Sequence, residues 1–142
     1  MATVIVEQRA YFMIQSEHLD PESITRRLGV TPSRSEVKES KQSRRTGRLV
    51  PPRHEWIVDA DLPETASLDD QADAVMARLA GTFDRIGELT AEGCEATLVM
   101  FRSFEAGPSA TKPGLLLTPE MLGLLVTAGA YVWIDEYGFD DD

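Results

Sequence analysis

Two short helices that carry their own start and stop signals constrain this chain more than any other feature. The first is predicted to begin at Pro21, which suits the opening helical position, after Asp20, which can accept hydrogen bonds from the first turn. Gly29 can adopt the left-handed conformation that ends a helix. The same pattern recurs from Thr118 to Gly129. Because strand-like residues flank both helices, the pair predicts two units in which a helix connects strands.

The remaining pattern predicts a sheet and one interrupted helix. Runs rich in β-branched and aromatic residues predict strands over 3–15, 54–60, 95–104, 115–117 and 131–137, with a short edge strand near 35–39. Apolar residues at helical spacing follow the potential cap Ser67, and Gly81 predicts a break. We therefore expect an α+β fold in two layers. It has a mostly antiparallel sheet of four to five strands, helices on one face, and a ferredoxin-like strand-helix-strand internal repeat.

Length and composition favour one domain over residues 1–142, with a basic flexible loop over 34–53 and an acidic tail over 138–142. No apolar run approaches the roughly 20 residues that cross a bilayer, and the first residues lack the pattern of a secretory signal. Cys94 is the one cysteine and cannot form an internal disulfide. These features predict a cytoplasmic protein that does not bind membranes.

Charge is distributed unevenly along the chain. The segment from Arg34 to Arg53 contains seven basic and two acidic residues, a charge of +5. Because the net charge of the whole chain is −10, the remaining residues together carry −15. That remainder repels nucleic acid, and no stacking aromatic residue lies within the basic segment, so nucleic-acid binding is not expected. Acidity suits both solubility and attraction to a basic partner.

Several motifs together resemble a known family. They are the capped helix Leu19-Asp20-Pro21-Glu22-Ser23-Ile24-Thr25 with Leu28-Gly29 and Thr31-Pro32-Ser33-Arg34, the lone Trp56, Leu117-Thr118-Pro119-Glu120, and Ile134-Asp135-Glu136-Tyr137. This set resembles the bacterial family called domain of unknown function 4279. The resemblance implies no activity and no catalytic residues. It points to small acidic proteins of bacterial toxin-immunity systems.

The residues that usually carry chemistry form no catalytic motif, so we expect no enzyme activity, no metal and no cofactor. His18, His54 and Cys94 lack the spacing of zinc ligands. Ser16 lies near His18 but outside any Gly-x-Ser-x-Gly turn. Trp56 and Trp133 are each expected in the core or on a sheet face rather than in a ligand site.

Two functional hypotheses follow. The first is a non-enzymatic protein-interaction module, an immunity-type inhibitor of a basic toxin, with Asp135, Glu136 and Asp140 as contact residues. The alternative is a small-ligand module that binds phosphates or nucleotides through the basic loop, using Arg44, Arg45 and Arg48.

Overall fold

The computed structural model describes residues 3–38, 52–106 and 115–138. Five strands and four helices lie in these ranges. In chain order they are β1 (Thr3–Ser16), α1 (Pro21–Leu28), β2 (Arg34–Glu36), β3 (His54–Asp59), α2 (Leu68–Arg78), α3 (Phe83–Ala91), β4 (Glu95–Ala106), α4 (Pro119–Ala128) and β5 (Tyr131–Tyr137). Most of the basic segment, the turn before residue 115 and the end of the acidic tail lie outside the described residues.

Both capped helices form as predicted. Asp20 Oδ1 accepts the backbone N–H of Ser23 at 2.8 Å, and Gly29 ends α1 with φ +71°. Thr118 Oγ1 accepts the backbone N–H of Met121 at 3.2 Å, and Gly129 ends α4 with φ +64°. These bonds satisfy N–H groups that the first turn of a helix cannot pair internally, which is why the signals are local.

The central helical segment divides where expected. The Ser67 hydroxyl caps α2, which ends at Arg78, and α3 begins at Phe83 beyond Gly81. The predicted strand over 115–117 is wrong, because these residues form an irregular approach to α4.

The sheet is mixed, with strand order β2-β3-β1-β4-β5. β1 lies at the centre and pairs antiparallel with β3 and β4, while β5 pairs parallel with β4. The expected two-layer α+β fold with a mostly antiparallel sheet is confirmed. The ferredoxin-like repeat is not, because the two units differ. One strand, β3, separates the parallel strands β1 and β2 around α1, whereas β4 and β5 around α4 are direct neighbours.

The core lies between the sheet and one layer of helices. One parity of each inner strand faces the helices, and all four helices contribute to the same cluster; examples are Phe12, Ile14, Trp56, Val58, Leu98, Met100, Ile24, Leu28, Val75, Leu79, Ile86, Leu89, Met121 and Leu125. Trp56 is fully buried there, and its indole N–H donates to Thr25 Oγ1 at 2.9 Å. The opposite sheet face carries no helix among the described residues.

Candidate functional site

The two outer strands of the sheet differ in length and chemistry. β2 has three residues, Arg34, Ser35 and Glu36, all of them polar. β5 has seven residues, four of which are consecutive large apolar or aromatic residues from Tyr131 to Ile134. An outer strand presents unpaired backbone groups, and natural proteins usually shorten or charge such strands. By that standard β2 is protected along its whole length, whereas β5 carries charge only at Asp135 and Glu136, near its end.

The helix layer covers β4 but leaves β5 uncovered. Val132 and Ile134 lie beside Leu98 and Met100 in the parallel register, on the side of the sheet that faces the helices. Leu98 and Met100 are 0% exposed, whereas Val132 is 37% and Ile134 46% exposed. The difference comes from position in the sheet, since all four side chains are apolar and point to the same side.

Further apolar side chains are exposed on β5 and on the helix that precedes it. Trp133 is 54% exposed on the open sheet face, which it shares with Tyr131 and Tyr137. On the helix that leads into β5, Leu122 and Val126 are exposed one turn apart. We call the exposed apolar and aromatic residues of the strand the β5 surface; they are Tyr131, Val132, Trp133, Ile134 and Tyr137. Monomeric soluble proteins rarely leave a large contiguous apolar area uncovered unless it has a function.

The predicted contact acids lie at the end of β5 as far as the structure describes them. Glu136 forms an ion pair with Arg102, with 3.3 Å between carboxylate and guanidinium, and the Arg102 side chain is only 6% exposed. Asp135 points to the opposite face, where Tyr11 lies. Burial raises the pKa of the Tyr11 phenol; the Arg34 charge opposes that rise, and the Asp135 carboxylate adds to it. Asp140 lies outside the described residues.

A cavity of 470 Å³ lies on the open sheet face. Tyr11, Met13, Ile57 and Trp133 supply its apolar lining, and arginines from the two ends of the basic segment lie at its margin. The Arg34 guanidinium stacks over the Tyr11 ring at 5.3 Å. Arg44, Arg45 and Arg48, predicted to hold phosphate, lie outside the described residues.

Arg53 is held at this cavity by neighbouring side chains. Its guanidinium donates to Gln15 Oε1 at 2.8 Å and to Glu95 Oε2 at 3.3 Å. An anionic ligand would compete with the Glu95 carboxylate for the same donors.

A larger cavity of 660 Å³ lies beside β2, but its arginines already bind groups of the protein. Arg78 donates to Ser33 Oγ and to the Asp59 carbonyl, both at 2.8 Å. Arg9 pairs with Glu64 at 2.7 Å. These contacts stabilise the loop after β3, and the size of the cavity alone does not indicate a ligand.

Ser16, His18 and Cys94 come together, although sequence spacing did not predict it. Ser16 Oγ accepts the backbone N–H groups of His18 at 3.2 Å and Leu19 at 3.0 Å, and lies 3.2 Å from His18 Nδ1. Two accepted bonds occupy the lone pairs that a nucleophilic hydroxyl needs. Burial raises the pKa of the Cys94 thiol, partly offset by its hydrogen bond with Ser16, so the reactive thiolate is disfavoured. The cluster holds the turn before α1.

Among the described residues, no group of three or more His, Cys, Asp or Glu side chains is placed to hold a metal ion. In the same part of the chain, no helix combines the length and apolarity needed to cross a membrane.

A comparison with protein-family models finds one that matches residues 6–139 of the chain. The chain belongs to the DUF4279 family. The family is described as a domain of unknown function, so membership by itself assigns no activity. The predicted family is therefore confirmed. No curated protein and no solved structure matches the chain.

Sequence reasoning did not identify most of the β5 surface. Only the acidic end of β5 was predicted to be a contact region, while Trp133 was expected in the core or on a sheet face. A usable signal does exist: Tyr131 to Ile134 are apolar on both faces of the strand. In a strand buried on both sides this is ordinary, but in an outer strand it indicates a missing partner.

Proposed function

We propose that this DUF4279 protein acts by binding another protein, and that the β5 surface is the contact region. The observation that carries the proposal is an outer strand whose apolar side chains are exposed on both faces, with Trp133 near its centre. Buried aromatic anchors dominate the binding energy of many protein interfaces. An outer strand also offers unpaired backbone groups to an incoming strand.

The proposed partner is a basic protein, such as the toxin of a bacterial toxin-immunity pair. The chain carries a net charge of −10, and Asp135 and Glu136 end the exposed strand. An acidic surface accelerates association with a basic protein, and the acceleration weakens as salt increases. The predicted residue Asp140 lies five positions beyond Asp135 and would add to this charge.

The direct test uses a basic toxin encoded beside the gene for this protein. Co-expression should rescue growth, and calorimetry with the purified pair should give an affinity that falls with salt. Trp133→Glu should weaken binding at least about tenfold by removing an aromatic anchor. Ser35→Glu adds the same charge to the opposite edge of the sheet and is the matched control. The proposal would be refuted if the wild-type protein did not rescue growth, or if the two variants lost binding equally.

The cavity on the open sheet face favours one second candidate, a module that binds phosphate-containing ligands such as nucleotides. Arg34 and Arg53 lie at its margin with the rings of Tyr11 and Trp133, a combination that suits an anionic group joined to a planar ring. Arg44, Arg45 and Arg48 of the same basic segment would add donors.

Thermal-shift measurements with nucleotides and sugar phosphates distinguish this candidate from the first. A ligand present at about 100 times its Kd stabilises the folded state by about 2.7 kcal/mol, which is readily detected. Arg53→Ala and Arg45→Ala should each remove the shift. If no ligand raises the melting temperature, or if both variants retain the shift, this candidate fails.

A further inference from the structure

The first four residues of β5 lack the devices that usually protect an exposed strand, and the charges of the strand, Asp135 and Glu136, lie near its end. Its seven residues, Tyr131–Tyr137, include no proline, glycine, lysine or arginine. In the described part of the chain, no strand pairs with the outer side of β5. The strand has seven residues, compared with three in β2 at the other edge. It exposes apolar side chains on both faces.

We infer that β5 pairs antiparallel with β5 of a second copy of the chain, so that two five-stranded sheets join into one of ten strands. A two-fold axis makes such a contact self-complementary. If one residue of the first copy contacts a second residue of the other copy, the same two residues are also in contact with the copies exchanged. The register that fits best places Trp133 opposite Trp133 of the second copy. Val132 then lies opposite Ile134, and Tyr131 opposite Asp135.

Charge disfavours registers shifted towards the acidic end of β5, and a shift the other way leaves fewer residues paired because the strand begins just after Gly129. With Trp133 on the axis, Asp135 lies two residues from the centre, so the two Asp135 carboxylates are about 14 Å apart along the strands. This exceeds the Debye length of about 8 Å at physiological ionic strength, so their repulsion is largely screened. Moving the axis to Ile134 halves that separation to about 7 Å, and moving it to Asp135 places like charges directly opposite each other.

The same register matches side chains on both faces of the joined sheet. On the side of the helices, Val132 and Ile134 of each copy bury apolar surface against each other. On the open face the two indole rings of Trp133 are adjacent, and the Tyr131 hydroxyl can donate to the Asp135 carboxylate. Pairing stops at Gly129, whose left-handed conformation ends α4 just before the strand.

The size of the surface agrees with a dimer of moderate affinity. Tyr131, Trp133 and Tyr137 are each more than half exposed, which corresponds to roughly 350 Å² of aromatic surface. Val132 and Ile134 add to it. Stable dimers bury about 800 Å² on each partner, so we expect a dimer that dissociates on dilution.

This inference uses the β5 surface but does not depend on the proposed basic partner. The experiment therefore uses the purified chain alone, so failure of self-association and failure of partner binding are separate results. If both are correct, the second copy and the partner compete for one surface, and the dimer is the form in which the apolar strand is covered.

Light scattering and sedimentation equilibrium from micromolar to sub-millimolar concentrations should show a reversible dimer of twice the 15.7 kDa chain mass. Trp133→Glu places two carboxylates at the axis and should raise the dimer Kd at least about tenfold. Ser35→Glu, on the opposite edge, should leave the Kd unchanged. A wild-type chain that stays monomeric throughout refutes the inference, as does a dimer equally affected by both variants or by neither.

Cysteine cross-linking tests the register directly, because a disulfide traps even a weakened contact when the two cysteines are opposite each other. Trp133→Cys should form a disulfide-linked dimer under mild oxidation, because the two residues are opposite each other. Tyr131→Cys should form none, while combining it with Asp135→Cys should restore the link. The wild type provides the baseline, since Cys94 is buried. Cross-linking by Tyr131→Cys alone, or failure of Trp133→Cys to link, would overturn the proposed pairing.

Discussion

The two edges of this sheet differ in how they present an outer strand, whose backbone N–H and C=O groups lack a pairing strand on one side. At one edge, β2 exposes three polar residues, and Arg34 stacks on Tyr11 while its backbone pairs with Ile57 of β3. At the other edge, β5 exposes a longer strand with aromatic and aliphatic side chains on both faces. Because one chain contains both, exposed apolar residues are not a general property of this fold. The contrast supports the proposal that the β5 edge is a contact surface.

The largest difference should appear in stability. Trp56, next to β2, is fully buried and hydrogen-bonded to Thr25, whereas Trp133 on β5 is 54% exposed. Trp56→Ala should lower the free energy of unfolding by about 3–5 kcal/mol, because it leaves a cavity in the core. Trp133→Ala should change it by less than about 1 kcal/mol, measured by urea denaturation at low protein concentration. Similar losses at the two positions would mean that β5 is part of the core.

The second difference should appear in association. Ile134→Lys gives β5 the charge that protects natural edges, and we expect it to weaken self-association about tenfold with little change in monomer stability. Ser35→Lys, the control at the edge that is already polar, should change neither quantity. Sedimentation equilibrium gives the dimer Kd, and urea denaturation gives the stability. If Ile134→Lys dimerises as well as the wild type, the two edges do not differ in the proposed way.

A smaller effect distinguishes the helices behind the two edges. Thr118→Ala should destabilise the protein by about 1 kcal/mol, because α4 loses the hydroxyl that caps its first turn. Since a hydroxyl does not ionise in this range, that loss should be the same at acidic and neutral pH. Urea denaturation at the two pH values measures it, with Thr118→Ser as the control that retains the cap. A loss that varies with pH would contradict this assignment.

The cap of α1 should behave differently, because Asp20 ionises. The backbone N–H of Ser23 donates to its carboxylate and lowers its pKa below the ordinary value of 3.8. The group's contribution to stability is therefore complete above pH 3.8 and is lost as the pH falls through the lower folded-state pKa. Asp20→Asn should remove this acid sensitivity while keeping a capping side chain. Carboxyl chemical shifts followed by NMR give the pKa, and a value at or above 3.8 would contradict the cap.

The smallest expected change is spectroscopic. Trp133→Phe should leave one buried indole, with blue-shifted emission that acrylamide quenches poorly, while Trp56→Phe should leave an exposed indole that is quenched readily. Dimer formation should reduce the quenching of Trp133, because the proposed two-fold axis passes beside it. Quenching of Trp133 that does not depend on protein concentration would argue against its place at the centre of the contact.

Much of the fold follows from local patterns, and the errors have identifiable causes. The break between α2 and α3 was predicted from Gly81, and the two capped helices from their terminal residues. The leucines at 115–117 have strand propensity but find no neighbouring strand, so tertiary context overrides the preference. At the candidate site, the acids of β5 were identified by charge alone. The prediction could not include the exposed apolar residues, because their exposure depends on which strand is outermost.

Gly87 illustrates the same limit within a helix. In the sequence it reads as a weak point of α3. In the structure, a Cβ at this position would lie 2.4 Å from the Thr127 carbonyl oxygen of α4, so the missing side chain lets the two helices approach closely. The local pattern correctly placed the glycine in a helix but did not reveal what the glycine permits.

By itself, the sequence determined where helices begin and end, because caps and turns form hydrogen bonds between residues only a few positions apart. It also determined the charge and the family motifs. Only the tertiary structure decided that β1 is central and β5 outermost, because strand pairing joins residues that are far apart in the chain. That decision buried Trp56 and exposed Trp133, although both lie in strands and both are followed by isoleucine.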